Sequence, residues 1–245
     1  MTSRKMALLA VLAGIVLASP ATAQEISVSL GEGGSVSGRT IQLILLITVL
    51  SIAPGLAIMI TCFPFLVTVL AILRQGIGLQ QSPPNMLIVS LALFLTYFVM
   101  EPVFTDAWQN GIQPLIDERL EVEPALQRAI EPFRGFMAAR IDPETFQTLA
   151  NLRPENPVEG PTPDAALSVL IPSFMLSEIA RAFQIGFLVF MPFLIIDLVV
   201  AAVLMSMGMM MVPPASVALP FKLAFFVVAD GWSLIAAALV RSYAP

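Results

Sequence analysis

The sequence predicts an all-α membrane protein made of helical hairpins, about four apolar helical segments kinked at prolines, around a helical periplasmic insert. Composition is the first reason: 58% of the residues are hydrophobic, only 12% are charged and the mean hydropathy is +0.89. Soluble domains carry roughly a quarter charged residues, so this chain has too little polar surface to cover a core by itself. The second reason is the length of its uncharged stretches, and the third is that its acidic residues are gathered in one segment.

The chain opens on a secretory pattern: Arg4 and Lys5, an apolar run over 6–18, then Ala21-Thr22-Ala23. Small residues two apart after such a run mark a cleavage site, here before Gln24. The alternative is a first membrane anchor, but the run is about half of the ~20 residues a span needs. Residues 1–23 are therefore read as a cleavable signal peptide. Residues 24–40, short, polar and rich in Gly and Ser, are read as a flexible tether.

Residues 41–105 form the first expected hairpin. Ile41–Leu73 contains no charge but holds Pro54-Gly55 and Pro64. An interior proline removes a backbone bond and kinks or breaks a helix, so a bent helix or two pieces are expected. After Arg74 the glycines and Pro83-Pro84 make a turn, and Met86–Met100 is the returning apolar run, with Trp108 suited to a membrane interface.

Residues 106–165 are the expected insert. From Glu101 to Ala165 there are twelve acidic residues and five arginines, a net of −7, while the rest of the mature chain balances. Leu115, Ile116, Leu120, Leu126 and Ile130 suggest short amphipathic helices, followed by a proline-rich loop over 151–164. A signal peptide places the mature N-terminus in the periplasm. The Arg74 turn then falls on the cytoplasmic side and the insert on the periplasmic side, in keeping with the positive-inside rule.

Residues 166–245 form the second hairpin, interrupted at Pro213-Pro214. Asp197 and Lys222 each stand alone in apolar surroundings. Such charges are costly and usually pair inside protein; they flank a common turn at distances compatible with meeting. A salt bridge fixing hairpin register is favoured over an ion relay, which needs a chain of sites. Glu178 and Arg181 are spaced for an intrahelical pair. Asp230 is read either as capping a break at Gly231 or as meeting a partner. Met205, Met207, Met209, Met210 and Met211 crowd one turn beside Gly208. Methionine is flexible and fills irregular gaps, so the cluster reads as a deformable loop, able to seal an axis if several copies surround one. A copper relay is disfavoured without nearby Cys or His.

Catalytic chemistry finds little support. The chain has no histidine and one cysteine, Cys62, which removes the commonest general base and any internal disulfide. No GxxxxGK[ST] phosphate loop occurs. No enzyme activity, metal, cofactor or nucleic-acid partner is expected. A secondary transporter or small-ion channel is the competing reading, but it calls for several intramembrane polar residues around one site.

An ordered series of segments resembles the FliP family of flagellar export-gate proteins and the equivalent injectisome subunits. They are LRQGIG (73–78), QQSPPN (80–85), ALFLTYFVMEPV (92–103), FMLSE (174–178), AFQIGFLVFMPFLIIDLVVAAVLMSMGMMMVPP (182–214) and LPFKLAFFVVADGW (219–232). The resemblance implies an inner-membrane subunit of the flagellar basal body, much of it on the periplasmic side. Several copies, five in the family's usual description, form a ring with FliQ-like and FliR-like subunits and other type III export proteins. Unfolded flagellar proteins pass through its channel, and lipid surrounds the assembly. On the same basis Met209, Met210 and Met211 match a methionine gasket, and Phe183, Gln184 and Phe187 lie near a constriction. Asp197 and Lys222 match buried charges, whereas the lysine the family places shortly after Glu178 is displaced here to Arg181.

Overall fold

The computed structural model describes residues 36–79, 82–153, 160–209 and 211–243. The expected signal peptide (1–23), the tether up to residue 35, and Met210 lie outside the described residues. Contacts divide the chain into two units, 1–50 and 51–245. In the first, the described part is the beginning of helix α1 (Val36–Met59). This helix starts within the segment expected as tether, at Val36, and is uncharged beyond Arg39.

The second unit holds the remainder of α1, which runs on through Pro54-Gly55, and then eight further α-helices. They are α2 (Phe63–Ile77), α3 (Asn85–Ala107), α4 (Gln113–Ile116), α5 (Val122–Arg140), α6 (Pro143–Asn151), α7 (Leu167–Ser206), α8 (Pro214–Val228) and α9 (Gly231–Arg241). A π-helical turn, Trp108–Ile112, carries α3 into α4, so the expected boundary at 105/106 falls inside a continuous helical run. No strand occurs among the described residues.

Prolines act where the backbone has room to turn. Pro64 sits in the first turn of α2, where its missing N–H costs nothing, and the break from α1 falls just before it at Ile60–Cys62. Pro172 and Pro192 lie inside α7, Pro102 inside α3 and Pro220 inside α8 without ending them. Of the two positions where a bend or break is expected in Ile41–Leu73, the break falls at Pro64, and α1 runs on through Pro54-Gly55. A second break follows α8: Asp230 takes φ 48° and ψ 48°, and α9 leaves at 62° to α8.

α2 and α7 form the centre. Ile72 packs at Gly186 and Gly76 at Phe193, so residue numbers rise together and the two helices run parallel. Glycine at both positions lets the backbones approach closely: a Cβ on Gly186 would lie 2.4 Å from Ile72 Cδ1, and one on Gly76 3.0 Å from Phe193 Cδ2. Phe65, Leu66, Val69, Leu70 and Leu73 are sealed in this seam, each stabilising it by about 1.5–3 kcal/mol of transfer free energy. α3 returns along α2, and α8 folds back along α7.

The acidic insert is helical, with α5 against α3, the π turn and α7, and α6 against α7. Its own core is Met137, Phe146, Leu170 and Phe174, and Phe136 touches both this core and that of the hairpins.

Two stretches are long and apolar enough to cross a membrane, Asn85–Ile116 and Leu167–Ser206, or up to four if each bent helix pair makes one span. α7, at 40 residues, extends about 60 Å, twice the ~30 Å hydrocarbon thickness. Beyond Asp197 it runs nine residues past the end of α2, about 13 Å, accompanied by α8.

Candidate functional site

One stripe of α7 faces α2: Glu178, Ala182, Gly186, Phe193 and Asp197. Spacings of four and seven keep them on one face. The two carboxylates lie 19 residues apart, about 28 Å along the axis, with only apolar side chains and Gly186 between them on that stripe. Each carboxylate organises its own cluster.

At the far end, Lys222 Nζ of α8 lies 2.5 Å from Asp197 Oδ2 and 3.1 Å from the carbonyl oxygen of Gly76. Lys222 is buried, whereas the Asp197 side chain is one-third exposed. The ammonium also stands at the C-terminus of α2, where helix carbonyls are unpaired and a cation is favoured. Gly78, at φ 87°, is the left-handed cap that ends α2 there. Asp197 Oδ1 is enclosed and has no hydrogen-bond partner. Next door, Arg74 ties the α2–α3 turn by donating to Asn85 Oδ1 and to the carbonyl of Pro83.

At the near end, Glu178 is fully buried and its carboxylate accepts from three residues. Oε1 accepts from Arg140 Nε at 3.2 Å and Arg181 Nη1 at 3.1 Å, and Oε2 accepts from the Tyr243 hydroxyl. Arg140 Nη1 donates to the carbonyl of Ser242 at 2.8 Å, and its guanidinium lies 4.0 Å over the Tyr243 ring, a cation–π contact. Arg140 Nη2 is enclosed without a partner. Burial, then the Glu178 carboxylate, push the Tyr243 hydroxyl well above its ordinary pKa, so it stays a donor. Glu178 and Arg181 form the i,i+3 pair their spacing suggests. Arg140 and Tyr243 come from α5 and from beyond α9, and reading the sequence did not reach them. The available signal was modest: Tyr243 is one of only two tyrosines.

Between and beyond these clusters, α7 turns an apolar face outward. Phe183 and Phe187 are 61% and 58% exposed, with Gln184 beside them, on the side away from α2. The methionine turn caps the α7–α8 tip: Met205, Met207 and Met209 are exposed, and Met211 is 98% exposed. Gly208, at φ 75°, makes the reversal. Behind the turn lies a pocket of about 570 Å³, lined only by apolar residues such as Val200, Val203, Met207, Met209, Val217 and Phe221.

Asp230 sits at the α8–α9 break, accepting from Ser233 Oγ rather than from a backbone N–H. Cys62 is buried and unpaired. Among the described residues no group of three His, Cys, Asp or Glu side chains is placed to hold a metal.

Long apolar helices, two buried ionic clusters and a methionine-tipped hairpin define an all-α membrane protein. The FliP family model matches residues 46–239, and the chain belongs to the FliP family. It is 48% identical to the flagellar biosynthetic protein FliP of Caulobacter vibrioides, over 98% of this chain and 91% of that one. Identity to the Agrobacterium fabrum FliP is 47%, covering 86% of each chain. With the Bacillus subtilis FliP it is 44%, over 83% of this chain and 92% of the relative.

Proposed function

We propose that the chain is a ring-forming subunit of the flagellar type III protein export gate in the bacterial inner membrane. Several copies, with FliQ-like and FliR-like subunits, surround a channel for unfolded flagellar proteins. The observation that carries this reading is the tip of the α7–α8 hairpin, which reaches past the end of α2 and presents exposed methionines. A tip built this way suits a seal: thioether side chains are flexible and deform around whatever passes.

In this reading Met209, Met210 and Met211 form the gasket. Phe183, Gln184 and Phe187, on the outward face of α7, line the constriction below it. Large unpartnered apolar faces mark association surfaces or lipid contact, and a ring of copies covers them. Asp197 and Lys222 hold the register of the hairpin beneath the gasket. Energy comes from other parts of the export apparatus.

Native mass spectrometry of the detergent-extracted chain, alone and co-expressed with the FliQ-like and FliR-like subunits, tests this. A closed ring that takes up the smaller subunits is expected. A stable monomer or dimer that ignores them contradicts it and favours the transporter reading.

A further inference from the structure

We propose that Tyr243 is a strap that fastens the α5–α6 turn of the insert to the hairpins, and that its release loosens this turn while the α2–α7 seam stays packed. The strap closes at one joint. Its hydroxyl donates to Glu178 of α7, the carbonyl of neighbouring Ser242 accepts from Arg140 of α5, and its ring lies under the Arg140 guanidinium. The same ring packs edge-on against Phe65 of α2, centroids 5.4 Å apart, and stacks on Phe136 of α5 at 6.0 Å. Three separate parts of the fold (the central seam, the insert and the segment after α9) therefore meet at a single side chain.

The joint is placed where the insert turns. Arg140 ends α5, and α6 begins three residues on at Pro143. The carbonyl of Arg140 accepts from Arg181, and the amide of Asp142 donates to Ser177 Oγ. Every polar tie from this turn to α7 lies within one helical turn of Glu178. The hydrophobic seam of α2 with α7, by contrast, continues for about two turns beyond the joint through Leu66, Val69, Leu70 and Leu73. Losing the strap removes the Glu178 bond and the ring contacts with Arg140 and Phe136, and so loosens the α5–α6 turn at its first residues while leaving that seam in place.

The joint is also incompletely satisfied. Arg140 and Arg181 bring two cations to one carboxylate, so the cluster lacks a second anion, and Arg140 Nη2 is left enclosed without an acceptor. Enclosed unpaired donors are costly.

Amide hydrogen exchange on the full chain in nanodiscs tests the strap. Tyr243→Phe keeps the ring and removes the donor, and Tyr243→Ala removes both. The expected result is a rise in exchange over Phe136–Asn151 on the order of fivefold for Phe, and more for Ala, with α2 and the centre of α7 within about twofold of the parent. In a Glu178→Leu background, which has no acceptor for the hydroxyl, Tyr243→Phe should add little, because the two act through one hydrogen bond. Unchanged exchange over the insert overturns the proposal. A uniform rise across insert and seam also overturns it, since Tyr243 would then be an ordinary core residue. Full additivity with Glu178→Leu overturns the assigned route.

Discussion

Lys222 lies 25 positions after Asp197 in the chain, yet its ammonium reaches both the Asp197 carboxylate, at 2.5 Å, and the last turn of α2 at Gly76. One side chain therefore joins three helices at the base of the methionine-tipped hairpin. Removing one partner of such a pair leaves an uncompensated charge in an apolar setting. Lys222→Ala is expected to lower stability by about 3 kcal/mol, near the low end for such pairs because Asp197 is partly exposed. The exchanged pair Asp197→Lys with Lys222→Asp should recover part of the loss, measured as assembled protein after detergent extraction. Recovery should be incomplete, since the aspartate then faces the carbonyl of Gly76. Absence of any recovery would mean the two act separately.

Glu178 is the more deeply buried carboxylate, and its removal strands Arg140. Glu178→Ala is expected to cost about 3–5 kcal/mol, read as a fall in thermal midpoint. Arg181→Ala should cost less than half as much, because Arg181 is one-third exposed and Arg140 and Tyr243 still hold the carboxylate. Equal losses would contradict the geometry of the cluster.

Two glycines differ in what blocks a side chain. A Cβ on Gly111 would lie 2.6–2.7 Å from the Cβ, Cα and amide nitrogen of Ala129, two of them backbone atoms, while at Gly186 it meets the flexible end of Ile72 first. Gly111→Ala is therefore expected to cost about 3 kcal/mol and Gly186→Ala about 1 kcal/mol, by thermal denaturation in the same detergent. The reverse order would mean that the π turn moves away from α5 freely.

Asp142 caps α6 by accepting from the backbone N–H and the hydroxyl of Thr145, both at 2.8 Å. The Thr145 amide, more than any other group, holds its carboxyl below the ordinary 3.8. A depressed folded-state value stabilises the charged form, so the contribution is present above about pH 3.8 and fades as pH falls below it. Exchange of the first-turn amides of α6 should rise on acidification through that range. Asp142→Asn, which keeps an acceptor, should flatten the response. The same slope in both proteins would assign it to another group.

Much of this fold is legible in the residues, for reasons that are local. Uncharged runs, the turn chemistry at Pro83-Pro84 and Pro213-Pro214, and the gathering of acidic residues mark out the hairpins and the insert. The spacing of Glu178 and Arg181 is enough to suggest their pair. Pro54-Gly55 misleads, since α1 runs on through it and the break comes instead at Ile60–Cys62, just before Pro64. The start of α1 at Val36 is hidden by the glycines just before it. Arg140 and Tyr243 escape because they are 38 and 65 positions from Glu178, and no periodicity links residues brought together only by folding.

The most direct test of the gate is ion leak across the inner membrane of cells expressing the assembled export apparatus with Met209–Met211 replaced by Gly or Ala. The account predicts that the variant complex assembles, with its subunits present in parental amounts, and that the membrane becomes measurably leaky to small ions. A fully assembled variant with normal membrane tightness would contradict the assignment of the methionine turn as the seal.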